Sequence, residues 1–191
     1  MKKPKFRKNS LAVGILKAIG LAGLVIVAAS SPYFGLGLIR GMSKHYDKKA
    51  WRKFYASLDY LDRRGWVKIL SNQEGQLKVK ITRQGEDRFE AINIETMQLS
   101  KDAVWDDKWR VIIFDVPNYK SQNRLAFTEK LKTLGFVMVQ KSVWAYPFEC
   151  YKEIAILRKF YEIERYVTYF KGIEIEDEKG WRGKFNLINQ T

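Results

Sequence analysis

Between Leu11 and Ile39 the sequence reads LAVGILKAIGLAGLVIVAASSPYFGLGLI, with Lys17 as its single charged residue. A run this apolar either crosses a membrane or is buried on nearly all sides of a folded domain. The uncharged part, Ala18 to Ile39, is long enough to span, and MKKPKFRK in front of it is the basic flank of an anchor. Pro32, behind Ser30 and Ser31, falls in its middle and would break a spanning helix there. Lys17 interrupts the earlier window, Leu11 to Ala29, where a midspan lysine costs about 2.5–3.5 kcal/mol. The reading adopted is a buried helix over residues 10–29, with Ser10 as its N-cap and Ser31-Pro32 as its stop. That places the chain in the cytoplasm. The alternative is a membrane-tethered chain held by residues 11–39.

Charge divides the chain. Residues 1–90 hold 19 Lys and Arg against 7 Asp and Glu, whereas residues 91–191 hold 16 against 14. The formal net charge of +14 therefore sits almost wholly in the first half. A surplus of this size repels itself and calls for an anionic partner, a nucleic acid or a membrane surface. The asymmetry sets domain limits at residues 1–91 and 108–191, with residues 92–107 as a linker. One cysteine, Cys150, and one histidine, His45, exclude an internal disulfide and a Cys/His zinc site within one chain. Cys150 is read as a small buried hydrophobe.

In the first half, Ala50, Trp51, Phe54, Tyr55, Leu58 and Leu61 fall on one face of a helix that starts at Asp47 and ends at Gly65. The other face of its early turns carries Lys48, Lys49, Arg52 and Lys53. A recognition helix presents its early residues to the major groove, where basic side chains reach phosphate and guanine. Next comes WVKIL, a turn over Ser71 to Gln76, and a strand in which Leu77, Val79 and Ile81 alternate with Lys78 and Lys80. Two short strands after a basic helix form a wing, with Lys78 and Lys80 set to touch phosphate. Thr82 to Gly85 then opens a further helix, through about Ala91. The expected partner of this winged helix-turn-helix is double-stranded DNA.

In the second half, Trp109 to Asp115 reads as a buried strand, Ser121 as the cap of a helix that runs to about Leu134 and is closed by Gly135, and Phe136 to Gln140 as a strand that Ser142 to Tyr146 extends. Cys150 to Glu162 reads as a helix and Arg165 to Lys171 as a third strand, with Ile173 and Ile175 as a continuation. The order β-α-β-α-β, with room for a fourth strand, predicts an α+β ferredoxin-like domain.

The segments WDDKWRVIIFDVP, LGFVMVQKSVWAYPFEC and WRGKFNL carry a resemblance. They are similar to the central and distal parts of PaaX-type transcriptional regulators, the family of the phenylacetate-degradation repressor. The central domain of that family resembles CRISPR-associated protein two, a ferredoxin-like dimer. The resemblance implies a dimeric DNA-binding repressor, with residues 108–191 as the dimerisation domain, no catalysis and no cofactor. It also implies an alternative, a metal-dependent nuclease. In the CRISPR-associated protein the aspartate ending the first strand is implicated in binding a divalent metal, and Asp115 stands at that place. One such carboxylate per chain would hold Mg²⁺ or Mn²⁺ across a dimer. With no second carboxylate in residues 116–128, Asp115 is read as organising the turn after the strand.

Overall fold

A computed structural model of the chain describes residues 10–28, 48–71, 76–100 and 104–187. The chain divides into two compact units, Met1–Thr96 and Met97–Thr191. His45, Asp47, the apolar residues 29–39 and the turn residues 72–75, all singled out above, lie outside the described residues.

In the first unit the apolar segment is a helix and a strand, not one helix. Helix α1 spans Leu11–Ala22, and the Ser10 hydroxyl accepts from the Val13 N–H at its start. Gly23 ends it at φ +72°, where a side chain would be strained, and its N–H donates to Ile19 O. Strand β1, Leu24–Ala28, follows at once. The physical reason is the β-branched run Val25-Ile26-Val27, which suits a pleated strand better than a helix turn. Among the described residues no helix is long and apolar enough to cross a membrane.

Helix α2 spans Lys48–Arg63, strand β2 Val67–Ser71, strand β3 Gln76–Ile81 and helix α3 Arg83–Thr96. The strands form one antiparallel sheet in the order β1-β3-β2. Helical spacing in α1 (Ala12, Ile15, Leu16, Ile19) and α2 (Phe54, Leu58, Leu61) meets strand alternation (Val67, Val79, Ile81) in a single core. The Thr82 hydroxyl caps α3 by accepting from the Gly85 N–H at 3.0 Å. That helix runs five residues past Ala91, because Ile92 and Ile94 are buried.

In the second unit, β4 (Trp109–Phe114), α4 (Ser121–Leu134), β5 (Val137–Gln140), β6 (Val143–Tyr146), α5 (Tyr151–Phe160), β7 (Val167–Gly172) and α6 (Glu178–Lys184) follow in order. The four strands make an antiparallel sheet in the order β5-β6-β4-β7. This is the β-α-β-β-α-β arrangement of ferredoxin-like domains. Two expectations change. Residues 142–146 do not extend the second strand; the chain reverses at Lys141 and Ser142 and β6 pairs back on β5. The fourth strand comes from that hairpin, not from Ile173 and Ile175, which follow the end of β7. Along β4, Ile112 and Phe114 share one face, where the Phe114 ring meets Phe127 of α4 edge-on at 5.5 Å. Trp109 on the other face stacks with Trp105 at 5.1 Å and Phe185 at 5.8 Å, in a cluster with Trp181 and Leu187.

Candidate nucleic-acid interface

Burial of Phe54, Leu58 and Leu61 fixes the rotation of α2. Lys49, Arg52, Lys53 and Ala56 then follow one another at the i, i+3, i+4, i+7 spacing of a single helix face, and all four are exposed. Lys48 is the first residue of α2; its side chain lies outside the described residues. The side chains of Arg52 and Lys53 form no hydrogen bond or ion pair among the described residues. The acids of the helix lie further along and are engaged. Asp59 pairs with Arg63 at 2.7 Å, and Asp62 accepts from the Ile69 N–H at 3.1 Å. The first half of the helix is therefore a cationic stripe, beside a shallow groove lined by Leu11, Ala12, Lys53, Ala56, Ser57 and Tyr60. Backbone N–H groups at a helix N-terminus add to its attraction for anions.

The sheet carries a second set of cations. Val67, Val79 and Ile81 point into the core, so alternation turns Lys68, Lys78 and Lys80 to the outer face. Lys80 and Lys68 are exposed and Lys78 is half-buried. Lys68 escaped the sequence reading, although the pattern Val67-Lys68-Ile69 held the same signal as β3. The α2 stripe and the sheet lysines belong to elements that pack on one core.

In the second unit Asp115 is exposed just past β4. Its backbone N–H donates to Tyr166 O at 3.0 Å, while its carboxylate has no hydrogen bond or ion pair among the described residues. The turn is thus tied by the Asp115 main chain, not by its side chain. The hydroxyls of Tyr119 and Tyr166 lie 2.7 Å apart nearby. Among the described residues no group of three His, Cys, Asp or Glu side chains is placed to hold a metal ion.

Residues 102–181 match the family model of the PaaX protein central Cas2-like domain. This part of the chain is similar to a PaaX-type central domain. No curated protein matches the chain. The match starts after α3, so the cationic helix and sheet lie outside it.

Within the matched region sits a charge network that the sequence did not reveal. Arg110 is only 3% exposed. Its guanidinium donates to both carboxylate oxygens of Asp106, to Lys108 O, and to Pro147 O at 2.8 Å, and lies 3.5 Å from Glu149. The Arg110 hydrogen bond holds the Asp106 carboxyl below its ordinary range. Glu149 in turn accepts from Lys171 of β7 at 2.6 Å, from the Tyr169 hydroxyl at 3.2 Å and from the Tyr151 N–H at 3.0 Å. Lys171 is the main reason its carboxyl falls to about 2. The network ties the segment entering β4, the turn before α5 and the edge strand together; its role is to position backbone. Cys150 beside it is fully buried, and burial pushes its thiol up to about 12. Such a thiol behaves as core, not as a redox centre. The signal for Arg110 was Asp106, four residues earlier in a strand-entry segment.

Proposed function

We propose that the chain is a DNA-binding transcriptional regulator, a repressor acting as a homodimer in the cytoplasm. In this reading the first unit is a winged helix-turn-helix. Helix α2 enters the major groove with Lys48, Lys49, Arg52 and Lys53, and Lys78 and Lys80 contribute phosphate contacts from the hairpin. The PaaX-type domain dimerises. The observation that carries the proposal is the exposed Lys49-Arg52-Lys53 stripe on a helix locked into a core by its opposite face and followed at once by a β-hairpin. The antiparallel order β1-β3-β2, with a helix before β1, supports the winged-helix assignment, and the charge surplus of residues 1–90 supports an anionic partner.

Selection of bound duplexes from a random pool tests it. The expected outcome is an enriched inverted repeat, as a two-fold dimer requires, lost when Arg52 and Lys53 are both replaced by alanine. A pool that stays random after repeated rounds would sink the proposal. The regulator reading asks for no catalysis and no metal. Mg²⁺- or Mn²⁺-dependent cleavage abolished by Asp115→Asn would replace it with the nuclease alternative, since an amide is a poor ligand for a hard dication.

A further inference from the structure

Local physics argues against an aspartate at position 62. Asp62 is the penultimate residue of α2, where the negative end of the helix repels a carboxylate, and aspartate is among the weaker helix formers. Its side chain is exposed, yet it accepts from the Ile69 N–H of β2 at 3.1 Å. In the sheet order β1-β3-β2, β2 is an edge strand. Trp66 O accepts from the Thr82 N–H at 3.1 Å, and Lys68 stands opposite Lys80, so the main-chain groups of residues 66, 68 and 70 face β3. Those of Val67, Ile69 and Ser71 face the free edge, where Asp62 takes the middle N–H. The base of the hairpin has its own tie to the end of α2: the Thr82 hydroxyl donates to Gly65 O. Burial of Val67, Val79 and Ile81 holds the hairpin on the core, but apolar packing is non-directional. Two hydrogen bonds at different points along the hairpin fix its direction. With the Thr82 bond alone, it is free to pivot about its base.

From this geometry we infer that Asp62 is a positioning residue for DNA recognition. It fixes the β2–β3 hairpin at one angle to α2, so that Lys78 and Lys80 reach phosphate while α2 lies in the major groove. The inference rests on the regulator reading and deepens it, by naming the contact that makes helix and wing one rigid body. The strand that Asp62 holds carries the cross-strand partners of both lysines: Leu70 is opposite Lys78, and Lys68 is opposite Lys80. A carboxylate beside a polyanion costs affinity through repulsion. Removing its charge should therefore strengthen binding, and a loss on removal comes through geometry.

Asparagine and alanine at position 62 separate the two effects. Both remove the charge, and only asparagine keeps an acceptor for the Ile69 N–H. The full chain is titrated into a labelled duplex from the enriched pool, over about 50–200 mM salt. Asp62→Asn should bind at least as tightly as wild type, with the same salt slope. Asp62→Ala should bind about fivefold or more weakly, with the slope lowered by about 1–2 as the lysine contacts are lost. Thermal midpoints of both variants should stay within about 4 °C of wild type, since the better helix propensity of alanine offsets one exposed hydrogen bond. With Lys78 and Lys80 already changed to glutamine, Asp62→Ala should cost less than about twofold. Equal affinity of the asparagine and alanine variants would overturn the inference. So would a loss in Asp62→Ala that persists in full without the two lysines, or one accompanied by a fall in midpoint of more than about 4 °C. A pool that never enriches on wild type would sink the regulator reading, and the inference with it.

Discussion

Replacing Arg110 with methionine removes the charge at the centre of the second unit's network while keeping most of the side chain's bulk. Breaking a buried ion pair by deleting one partner costs about 3–5 kcal/mol, because the other charge is stranded. Here the stranded carboxylates are not fully enclosed: the Asp106 and Glu149 side chains are 46% and 51% exposed. They return to water, which lowers that cost. The buried Pro147 carbonyl loses its donor as well, which costs about 1–3 kcal/mol, whereas Lys108 O keeps the Trp105 Nε1–H. The balance is a loss of about 3 kcal/mol. For a unit of this size that lowers the thermal midpoint by more than about 10 °C. Trp109 and Trp144 are buried in this unit, so tryptophan emission during urea unfolding reports the change. The cycle with Asp106→Asn should show coupling of about 1 kcal/mol or more between the two positions. A midpoint for Arg110→Met within about 2 °C of wild type would refute the reasoning. The network would then be worth no more than a packed methionine.

Two other outcomes follow from the structure. Glu149 has its folded pKa depressed from 4.5 to about 2, so its contribution is present above the unfolded value and is lost as pH falls from about 5 towards 2. Half-exposure screens the pair, leaving about 1 kcal/mol. Acid titration of Glu149→Gln should show a shallower fall over that window than wild type, and parallel curves would contradict it. In the first unit, a Cβ at Gly85 would lie 1.8 Å from Trp66 O and 2.7 Å from Ile81. Gly85→Ala should therefore destabilise that unit by more than about 2 kcal/mol, read by thermal unfolding; near-neutrality would contradict the packing described.

The parts of the fold legible in the sequence were those with local punctuation. Helix α4 carries Gly135, at φ +93°, to end it, and the sequence reading placed its end at Leu134, as observed; Ser121, read as its cap, is instead its first residue, after Lys120. Helix α2 was legible because its apolar and basic residues separate cleanly at helical spacing. Strand β1 was not. A short apolar run has no period to distinguish a strand from a buried helix, and its partner β3 lies some fifty residues away. The β5–β6 reversal was missed because Lys141 and Ser142 lack the glycine or asparagine that marks a tight hairpin. At the candidate interface, exposure of Lys49, Arg52 and Lys53 was readable from the helix pattern. Lys68 went unread, although it alternates with Val67 and Ile69 as Lys78 and Lys80 do with Val79 and Ile81.

The salt dependence of duplex binding tests the central claim most directly. Each phosphate contact contributes about 0.9 to the slope of log affinity against log salt. Fluorescence anisotropy of a labelled duplex, titrated with the full chain from about 50 to 200 mM salt, should give a steep slope for wild type. Replacing Arg52 and Lys53 with alanine should lower that slope by about 2 and weaken binding at least about tenfold at the lower salt. The fold should be intact, because both side chains are exposed. An unchanged slope and affinity in a folded variant would contradict the assignment of α2 as the DNA-reading helix.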